Sequence, residues 1–274
     1  MRCRGFLVGG TAGRTTLAGE GLQHQDGHSH VLALPVPNLH AYDPAFAYEI
    51  AIIIQDGIKR MYVDQESIFY YLTVGNEPLP MPEMPAGENI RNGVLKGLYR
   101  FNTSSKPDAK LRAQLLGSGA IMFEVLKAQR ILEEKYSVAA DVWSVTSYKE
   151  LYRDANDSER WNMLHPGEAP RVPYVTETLK DAAGPFIAAS DYMKVLPESV
   201  AKWVPGQLVS LGTDGFGRSE SRAALRDFFE VDAKHIVLAT LGALAREKKI
   251  GTDVVKRAVQ ELGINSEKAN PAVR

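Results

Sequence analysis

The chain has 274 residues, of which 45% are hydrophobic and 24% are charged, a composition typical of a globular protein with one large core or two smaller ones. The formal net charge of −1, from 32 basic and 33 acidic side chains, disfavours nucleic-acid binding, which usually needs a basic surplus. The single cysteine, Cys3, excludes a disulfide framework within the chain and a cysteine-rich zinc site, and it fits a reducing compartment.

Apolar runs in the sequence are short. The longest extends from Ile50 to Ile54, far below the ~20 residues that span a bilayer. Near the start, three consecutive apolar residues follow a basic lead, which is too few for a signal peptide. We therefore expect a soluble cytoplasmic protein with no membrane partner and no nucleic-acid partner.

The first unit, residues 1–74, alternates between predicted strands and polar segments. Asp43 and Pro44 predict a helix start, with Asp43 as the N-cap residue and proline at the first helical position. Apolar residues at helical spacing then continue to Ile58. The predicted segments in chain order are a strand at 6–9, a polar loop at 11–29, a strand at 31–35, a helix from Asp43 to Ile58 and a strand at 67–74.

Three strands and one or two helices form a poor core for ~75 residues. A strand almost at the chain start indicates that further strands of this sheet lie elsewhere. A small α+β domain with an irregular start is the alternative. Residues 75–92 follow as a connector, because the prolines at 78, 80, 82 and 85 remove backbone donors and prevent both helix and central strand.

The second unit, residues 93–274, alternates regularly between strands and helices. Such alternation with short connections predicts a mostly parallel sheet covered on both faces, and we expect this unit to fold by itself. The predicted strands are 111–119, 141–146, 186–190 and 208–212, and the predicted helices are 121–136, 148–162, 192–203, 219–229, 232–247 and 252–263.

Three of the six histidines fall within seven residues, in the segment Gly19-Glu-Gly-Leu-Gln-His-Gln-Asp-Gly-His-Ser-His30. Imidazole titrates near neutrality, so His24, His28 and His30 could move protons or donate hydrogen bonds to an oxyanion. Two histidines and Asp26 could instead bind a metal, although no known helical ligand motif is present. A solvated polar loop without catalysis is the third interpretation.

Two further segments have an ambiguous pattern. Thr213 to Ser219 is glycine-rich and lies between a predicted strand and a predicted helix, so it could bind an anion at the helix start. A plain turn with Ser219 as N-cap is the simpler interpretation, because the lysine of a phosphate loop is absent. The segment Glu159 to Pro166 combines Trp, Met and His, which indicates either an interface or a helix end that packs on the core.

Several segments together resemble one family, the homodimeric bacterial type of pyruvate dehydrogenase that depends on thiamine diphosphate. The resemblance extends through Asn270 and Pro271 and covers only the carboxyl-terminal part of that family's chain. The segments that carry it are Gly13-Arg-Thr-Thr-Leu17, Gly19 to His30, Tyr42-Asp-Pro-Ala-Phe-Ala-Tyr-Glu49, Ser158-Glu-Arg-Trp-Asn-Met-Leu-His-Pro166 and Gly212-Thr-Asp-Gly-Phe-Gly-Arg-Ser219.

The resemblance implies an α/β fold with two parts. Residues 1–74 match the tail of the pyrimidine-binding domain for thiamine diphosphate, and residues 93–274 match the transketolase-type carboxyl-terminal domain with its mostly parallel sheet. The family binds the cofactor's diphosphate and magnesium through a Gly-Asp-Gly motif, which this sequence lacks. Family order also puts the ring-binding glutamate upstream of Met1, so we expect cofactor-binding and metal-binding residues to lie mostly outside this chain.

The resemblance also implies roles for the histidine segment as the substrate-side loop. His24 matches a histidine that contacts the pyruvate-derived adduct, and we expect it to be catalytic. His30 is the second catalytic candidate. Asp26 and His28 lie in the stretch that matches a transketolase Asp-Gly-x-x-His motif, in which Asp and His meet the substrate. His28 could act one step further from the substrate.

The implied reaction is decarboxylation of pyruvate followed by transfer of the acetyl group to a lipoyl group. The implied partners are pyruvate, the lipoyl domain of dihydrolipoyl acetyltransferase and a second copy of the subunit in a homodimer. An alternative is a truncated fragment without catalysis that acts as a dimerisation or scaffold module. The chain alone is expected to be inactive in either case.

Overall fold

The computed structural model describes residues 3–87 and 89–273. Within those residues, the strands form a three-stranded and a five-stranded sheet. The smaller sheet belongs to the amino-terminal part of the chain and the larger one to the carboxyl-terminal part. The α/β class and the mostly parallel pairing predicted from the sequence are confirmed.

The smaller sheet has the order β1-β3-β2, and its strands run parallel. Its strands are β1 (Phe6–Gly9), β2 (Leu39–Tyr42) and β3 (Phe69–Thr73). β2 is buried at every position. β1 is an edge strand that exposes Leu7 and Val8, so this edge offers unpaired backbone groups and apolar side chains to any neighbouring protein surface.

Three α-helices accompany this sheet in the described residues before Tyr99. They are α1 (Ser29–Ala33), α2 (Ala47–Ile58) and α3 (Ile90–Lys96). A π-helical turn, Lys59–Val63, extends α2. The described residues between Val74 and Gly87 form neither helix nor strand, whereas α3 begins inside the range 75–92 predicted as a connector.

The predicted strand at residues 31–35 is wrong, because this segment lies in and just after α1. The apolar residues suit either structure, and hydrogen bonds at the two helix ends, local at the start and tertiary at the end, decide between them. Asp26 Oδ1 accepts hydrogen bonds from the backbone of His28 and Ser29 at the start of the helix. The Lys149 ammonium donates to three carbonyl oxygens at its end, those of Ala33, Leu34 and Val36.

The predicted N-cap of α2 is also wrong. The N-cap residue is Phe46, and the carboxylate of Glu49 accepts hydrogen bonds from the backbone N–H groups of Ala45 (2.6 Å) and Phe46 (3.0 Å). Glu49 therefore satisfies donors at the helix start in the way that a capping box does. Asp43 is left for another role, described below.

The larger sheet has the order β4-β6-β5-β7-β8, with β4 antiparallel to β6 and the other pairs parallel. Its strands are β4 (Tyr99–Asn102), β5 (Leu111–Gly117), β6 (Val138–Ser144), β7 (Phe186–Ala189) and β8 (Leu208–Leu211). The sequence did not predict β4, and the predicted strand at 141–146 begins three residues too late.

Helices cover both faces of the larger sheet, as predicted. They are α4 (Met122–Lys135), α5 (Tyr148–Leu164), α6 (Tyr174–Leu179), α7 (Val195–Glu198), α8 (Arg222–Phe228), α9 (Ala233–Arg246) and α10 (Thr252–Glu261). The continuous helix predicted at 192–203 is wrong, because only the short α7 and a 3₁₀ turn at Ala201–Trp203 form there. α6 was not predicted.

The two parts of the chain share their apolar cores. Phe46, from the smaller part, is fully buried in the core formed mainly by α4, α9 and the larger sheet. Conversely, Val94 and Tyr99 belong to the core of the smaller part, together with Tyr42 and Ile53. The expectation that residues 93–274 bury a core by themselves is therefore incomplete, since Phe46 fills part of it.

Candidate functional site

The site lies where the carboxyl ends of strands from both sheets meet. Thr73 ends β3, Asp43 directly follows β2, and Asp191 lies two residues after β7. These three residues line one narrow cleft with Gly119 and Tyr192. The carboxyl edge of parallel strands is the usual position of a ligand site in α/β proteins, and the histidine loop passes over this edge.

The outer part of the loop carries His24 and His28, and both side chains are exposed. His24 ends a 3₁₀ turn, Leu22–His24, and its backbone N–H donates to Gly21 O at 3.0 Å. Asp26 is half-buried, and its Oδ1 accepts from the N–H groups of His28 and Ser29, each at 2.9 Å. Asp26 thus fixes the backbone that carries the histidines, while His24 and His28 stay accessible.

His30, at the inner end of the loop, is only 4% exposed. Its ring lies edge-on to Tyr192, with ring centroids 4.6 Å apart, and 5.3 Å from the ring of Tyr71. Nε2 is 3.0 Å from Thr73 Oγ1. Burial lowers the pKa of His30 to about 4, with nearby Asp26 acting in the opposite direction. The imidazole is therefore neutral at pH 7.

Two buried carboxyl groups accompany His30. Burial raises the pKa of Asp43 to about 6, although hydrogen bonding from Thr73 and Ser118 counters part of this effect. Burial raises the pKa of Asp191 to about 7, opposed first by its hydrogen bonds with Thr15. The backbone N–H of Thr15 lies 3.1 Å from both carboxyl oxygens of Asp191. Perturbed carboxyl groups of this kind in a cleft are typical of functional sites.

The glycine-rich turn after β8 packs directly on the histidine loop. The buried guanidinium of Arg14 donates to the carbonyl oxygens of Thr213 and Gly215. The Arg218 N–H donates to Gln25 Oε1 at 3.4 Å. A Cβ atom at Gly217 would lie 2.5 Å from the Cβ of Gln25, so only glycine permits this approach. The turn thereby supports the backbone next to His24.

The predicted helix start at Ser219 is wrong. Ser221 is the N-cap residue of α8, and its hydroxyl accepts from the N–H of Ala224 at 3.4 Å. The first and last turns of α8 both bind the segment that precedes the histidine loop. Arg222 donates to Thr16 O at 2.6 Å and Arg226 to Thr15 Oγ1 at 3.4 Å. The interpretation of this turn as an anion site gains no support from these contacts.

The Trp-Met-His segment at the end of α5 lies on the surface. Met163 is 72% exposed and Leu164 51%. Trp161 stacks on His165, with ring centroids 4.3 Å apart. The guanidinium of Arg171 lies over the Trp161 ring, 4.2 Å from its centroid. The segment therefore does not fold onto the core, and its interpretation as an interface stays a prediction.

Metal-ligand geometry occurs elsewhere than in the histidine loop. Among the residues that the structure describes, the group with suitable spacing is Asp227, Asp232 and His235. Lys234 forms ion pairs with both aspartates, at 2.8 and 3.6 Å. The positive charge of this lysine already compensates the acidic pair, so ion pairing explains the cluster.

Two family models match the chain and together account for most of it. The model of the pyruvate dehydrogenase E1 component middle domain matches residues 1–82, and that of the transketolase-like TK C-terminal domain matches residues 97–232. The E1 component of Escherichia coli is 52% identical over 273 residues, 99% of this chain and 30% of the relative. The E1 component of Cupriavidus necator is 50% identical over 271 residues, with the same coverage.

The chain belongs to the pyruvate dehydrogenase E1 family. It spans about 30% of the length of these curated E1 relatives. The E1 component of Pseudomonas aeruginosa is similar to it to the same extent, with 52% identity over 271 residues. The resemblance seen in the sequence is thus confirmed, including its restriction to part of the family's chain.

Solved structures similar to this E1 chain are transketolases. A transketolase mutant from Pichia stipitis has a TM-score of 0.65 and covers 89% of this chain and 30% of its own. A split-gene transketolase, described as an inactive beta4 tetramer, has a TM-score of 0.57 and covers 88% of this chain and 66% of its own. Both are 16% identical, and they establish the fold alone.

The sequence patterns missed three residues at the centre of this candidate site, namely Asp43, Thr73 and Asp191. Each is a polar residue at or directly after the carboxyl end of a buried strand. That position is itself a signal in an α/β sequence, because parallel strands bring their carboxyl ends to one edge. Asp43 escaped notice because the following proline made it resemble an N-cap residue.

Proposed function

We propose that this chain is the substrate-side part of a thiamine-diphosphate-dependent pyruvate dehydrogenase. In this proposal the complete subunit decarboxylates pyruvate and transfers the acetyl group to the lipoyl domain of dihydrolipoyl acetyltransferase. The observation that carries it is the hydrogen bond that joins His30 of the histidine loop to Thr73 at the carboxyl end of β3, in a chain about half identical to E1 components over 99% of its length.

Thiamine diphosphate supplies the carbanion stabilisation that decarboxylation of a 2-oxo acid needs. The groups at this edge are imidazoles, hydroxyls and buried carboxyls, which suit the oxygens of a small 2-oxo acid. The sequence has no Gly-Asp-Gly segment for a diphosphate and its magnesium. We therefore propose that residues outside this chain hold the phosphate end of the cofactor and the metal ion.

His24 is proposed as the catalytic acid–base group. It is exposed at the end of a turn, where an imidazole can reach substrate oxygens and act as a general acid or base. Such a group is usually worth ~10²–10⁴-fold in rate. His28 is exposed close by, and Asp26 accepts a hydrogen bond from its backbone N–H. His30 is proposed to contact the substrate side as a neutral hydrogen-bonding group.

We also propose a homodimer that works in the cytoplasm. Exposed apolar side chains support contact with other protein surfaces, among them Leu7 and Val8 on the edge strand β1 and Met163 at the end of α5. No helix in the described part of the chain is long and apolar enough to cross a membrane.

The test replaces the matching segment of the Cupriavidus necator E1 component with this chain. The chimera is assayed for pyruvate decarboxylation with an artificial electron acceptor and for acetylation of an isolated lipoyl domain. We expect turnover in both assays with the chimera and none with the isolated chain. The isolated chain should also fail to bind thiamine diphosphate with magnesium in a calorimetric titration.

Two outcomes would contradict the proposal. A folded, dimeric chimera without turnover would favour the alternative of a dimerisation or scaffold module. Micromolar binding of the cofactor to the isolated chain would show that the phosphate and metal groups are present here after all. Turnover with a longer 2-oxo acid but not with pyruvate would keep the reaction type and change the substrate.

A further inference from the structure

His30 is the first member of a buried chain of three side chains. Its Nε2 is 3.0 Å from Thr73 Oγ1, and the Thr73 hydroxyl lies 2.7 Å from Asp43 Oδ1. All three residues lie at the cleft between the sheets, and His30 and Thr73 are 4% and 3% exposed. The sequence patterns gave no role to Thr73 and a different one to Asp43.

The hydroxyl of Thr73 fixes the direction of these hydrogen bonds. It has one proton to donate, and its neighbours Asp43 Oδ1 at 2.7 Å and Tyr42 O at 3.3 Å are acceptors when the Asp43 carboxyl is ionised. Above the Asp43 pKa of about 6, Thr73 Oγ1 therefore accepts from His30, which puts the ring proton on Nε2. Because the ring is neutral, Nδ1 then has a free lone pair.

Nδ1 of His30 forms no hydrogen bond within the described residues. The ring packs against Tyr71 and Tyr192, and the hydrogen bond between Nε2 and Thr73 sets which nitrogen faces the threonine. Titratable groups around it are Asp26, on its own loop, and the two tyrosines and Asp43 on the facing elements. The free nitrogen is thus a fixed acceptor.

Asp43 is anchored to the larger sheet by its backbone. Its N–H donates to Thr146 O at 2.8 Å, and its carbonyl accepts from Gly119 N at 3.0 Å. Gly119 has a φ of +48°, and a Cβ atom there would lie 2.5 Å from both carboxyl oxygens. Asp43 therefore holds its place through the backbone.

We propose that Asp43 is a positioning residue that acts through Thr73 to hold His30 in the Nε2–H tautomer, with Nδ1 presented as a hydrogen-bond acceptor to the substrate side of the site. The last part rests on the proposed function, because it takes the loop to face a substrate. The tautomer itself depends only on this chain. A histidine held by a hydrogen-bonded partner in this way keeps one orientation and one protonation state.

The tautomer can be measured on the complete 274-residue chain by nitrogen–proton correlation spectra of ¹⁵N-histidine-labelled protein, with His30 assigned from a His30→Asn spectrum. We expect the Nε2–H form in the wild type at pH 8, where Asp43 is ionised, with no protonation of the ring above pH 5. Thr73→Val removes the acceptor and should raise the Nδ1–H population. Thr73→Ser keeps the hydroxyl and should retain the wild-type spectrum. Asp43→Ala frees the hydroxyl to donate to Nε2 and should also raise the Nδ1–H population.

A wild-type His30 in the Nδ1–H form, or one that titrates with an ordinary pKa, would overturn the proposal whatever the activity. So would a Thr73→Val or Asp43→Ala chain with an unchanged spectrum. If Asp43→Ala does not fold, as judged by a thermal melt, Thr73→Val and its serine control still decide the outcome.

The E1 chimera tests the link to the substrate. Thr73→Val should lower kcat about 10- to 100-fold, the usual range for groups that orient a functional histidine, with KM nearly constant and with rescue by Thr73→Ser. Full activity in Thr73→Val would overturn the proposal even with the predicted tautomer. An inactive wild-type chimera would instead contradict the proposed function, while the spectra would still test the tautomer.

Discussion

The two ends of the histidine loop differ in their surroundings although they are six residues apart. His24 is exposed on a short turn, whereas His30 is buried between two tyrosines and bound to Thr73. Burial removes the charge of the inner imidazole by lowering its pKa to about 4. From this difference we propose separate tasks for the two histidines, proton transfer for the exposed one and fixed hydrogen bonding for the buried one.

The strongest test of this division is His24→Ala in the E1 chimera. Loss of an acid–base group should slow turnover ~10²–10⁴-fold and weaken cofactor binding much less. Because the side chain is exposed, the free energy of unfolding of the isolated chain should change by less than about 0.5 kcal/mol. Steady-state kinetics and urea unfolding measure the two effects. His165→Ala, a histidine at the end of α5, is the control.

If His24→Ala lowered stability and cofactor affinity as much as turnover, the residue would have a structural role. If turnover were unchanged, the exposed end of the loop would not be catalytic, and the comparison between the two ends would no longer hold.

The second test concerns the buried carboxyl of Asp191, whose pKa is raised to about 7. A carboxyl with a raised folded-state pKa stabilises the protein fully at pH values below its unfolded pKa of about 3.9, and this contribution is lost as pH rises through the folded value. Asp191→Asn has no carboxyl group to ionise, so its stability does not fall with pH in this way. The variant should therefore gain stability relative to the wild type between pH 4 and 7, by up to about 4 kcal/mol, and keep that difference at pH 8.

Urea unfolding of both proteins from pH 4 to 8 measures this difference. The opposite contribution of His30, whose lowered pKa makes stability rise with pH, is common to both proteins and cancels. A difference that does not change with pH would mean that Asp191 is ionised throughout the range.

The third test addresses what holds the inner end of the loop in place. Lys149→Met removes the ammonium that binds the carbonyl oxygens of Ala33, Leu34 and Val36 at the end of α1. Loss of these hydrogen bonds, which leaves the Leu34 carbonyl oxygen without a partner in the described residues, should cost about 3 kcal/mol. Urea unfolding measures the cost, and Lys110→Met, at an exposed position, is the control. Equal stability of the two variants would contradict the assigned role.

The smallest expected effect is at the outer end of the loop, where the glycine-rich turn supports it. Gly217→Ala puts a methyl group 2.5 Å from Gln25 Cβ, so the turn that carries His24 must shift, at a cost of about 1–2 kcal/mol. The same Gly217→Ala substitution should lower the turnover of the E1 chimera. At Gly167 a Cβ atom would meet nothing within 4 Å, so Gly167→Ala should match the wild type. Equal kinetics for both variants would contradict the support that we assign to this turn.

Much of the larger sheet and its helices was predictable, because strands such as β5 and β7 and helices such as α4 and α9 have long, regular apolar patterns. The short segment at residues 31–35 was not, since the same apolar residues suit strand or helix. Its helical form depends on Asp26 and on Lys149, which lies more than 110 residues away in sequence. Local patterns contain no information about such a partner.

For the site, the sequence by itself identified the histidine loop, since three imidazoles within seven residues among glycines and carboxylates form a pattern that can be read without coordinates. It also indicated the family, because long motifs occur in the right order. Only the tertiary structure decided which histidine is exposed, which is neutral and which carboxyl groups join them. The reason is physical: protonation and hydrogen bonding depend on burial and on groups such as Thr73 and Asp191, which only the packing of two sheets brings to one edge.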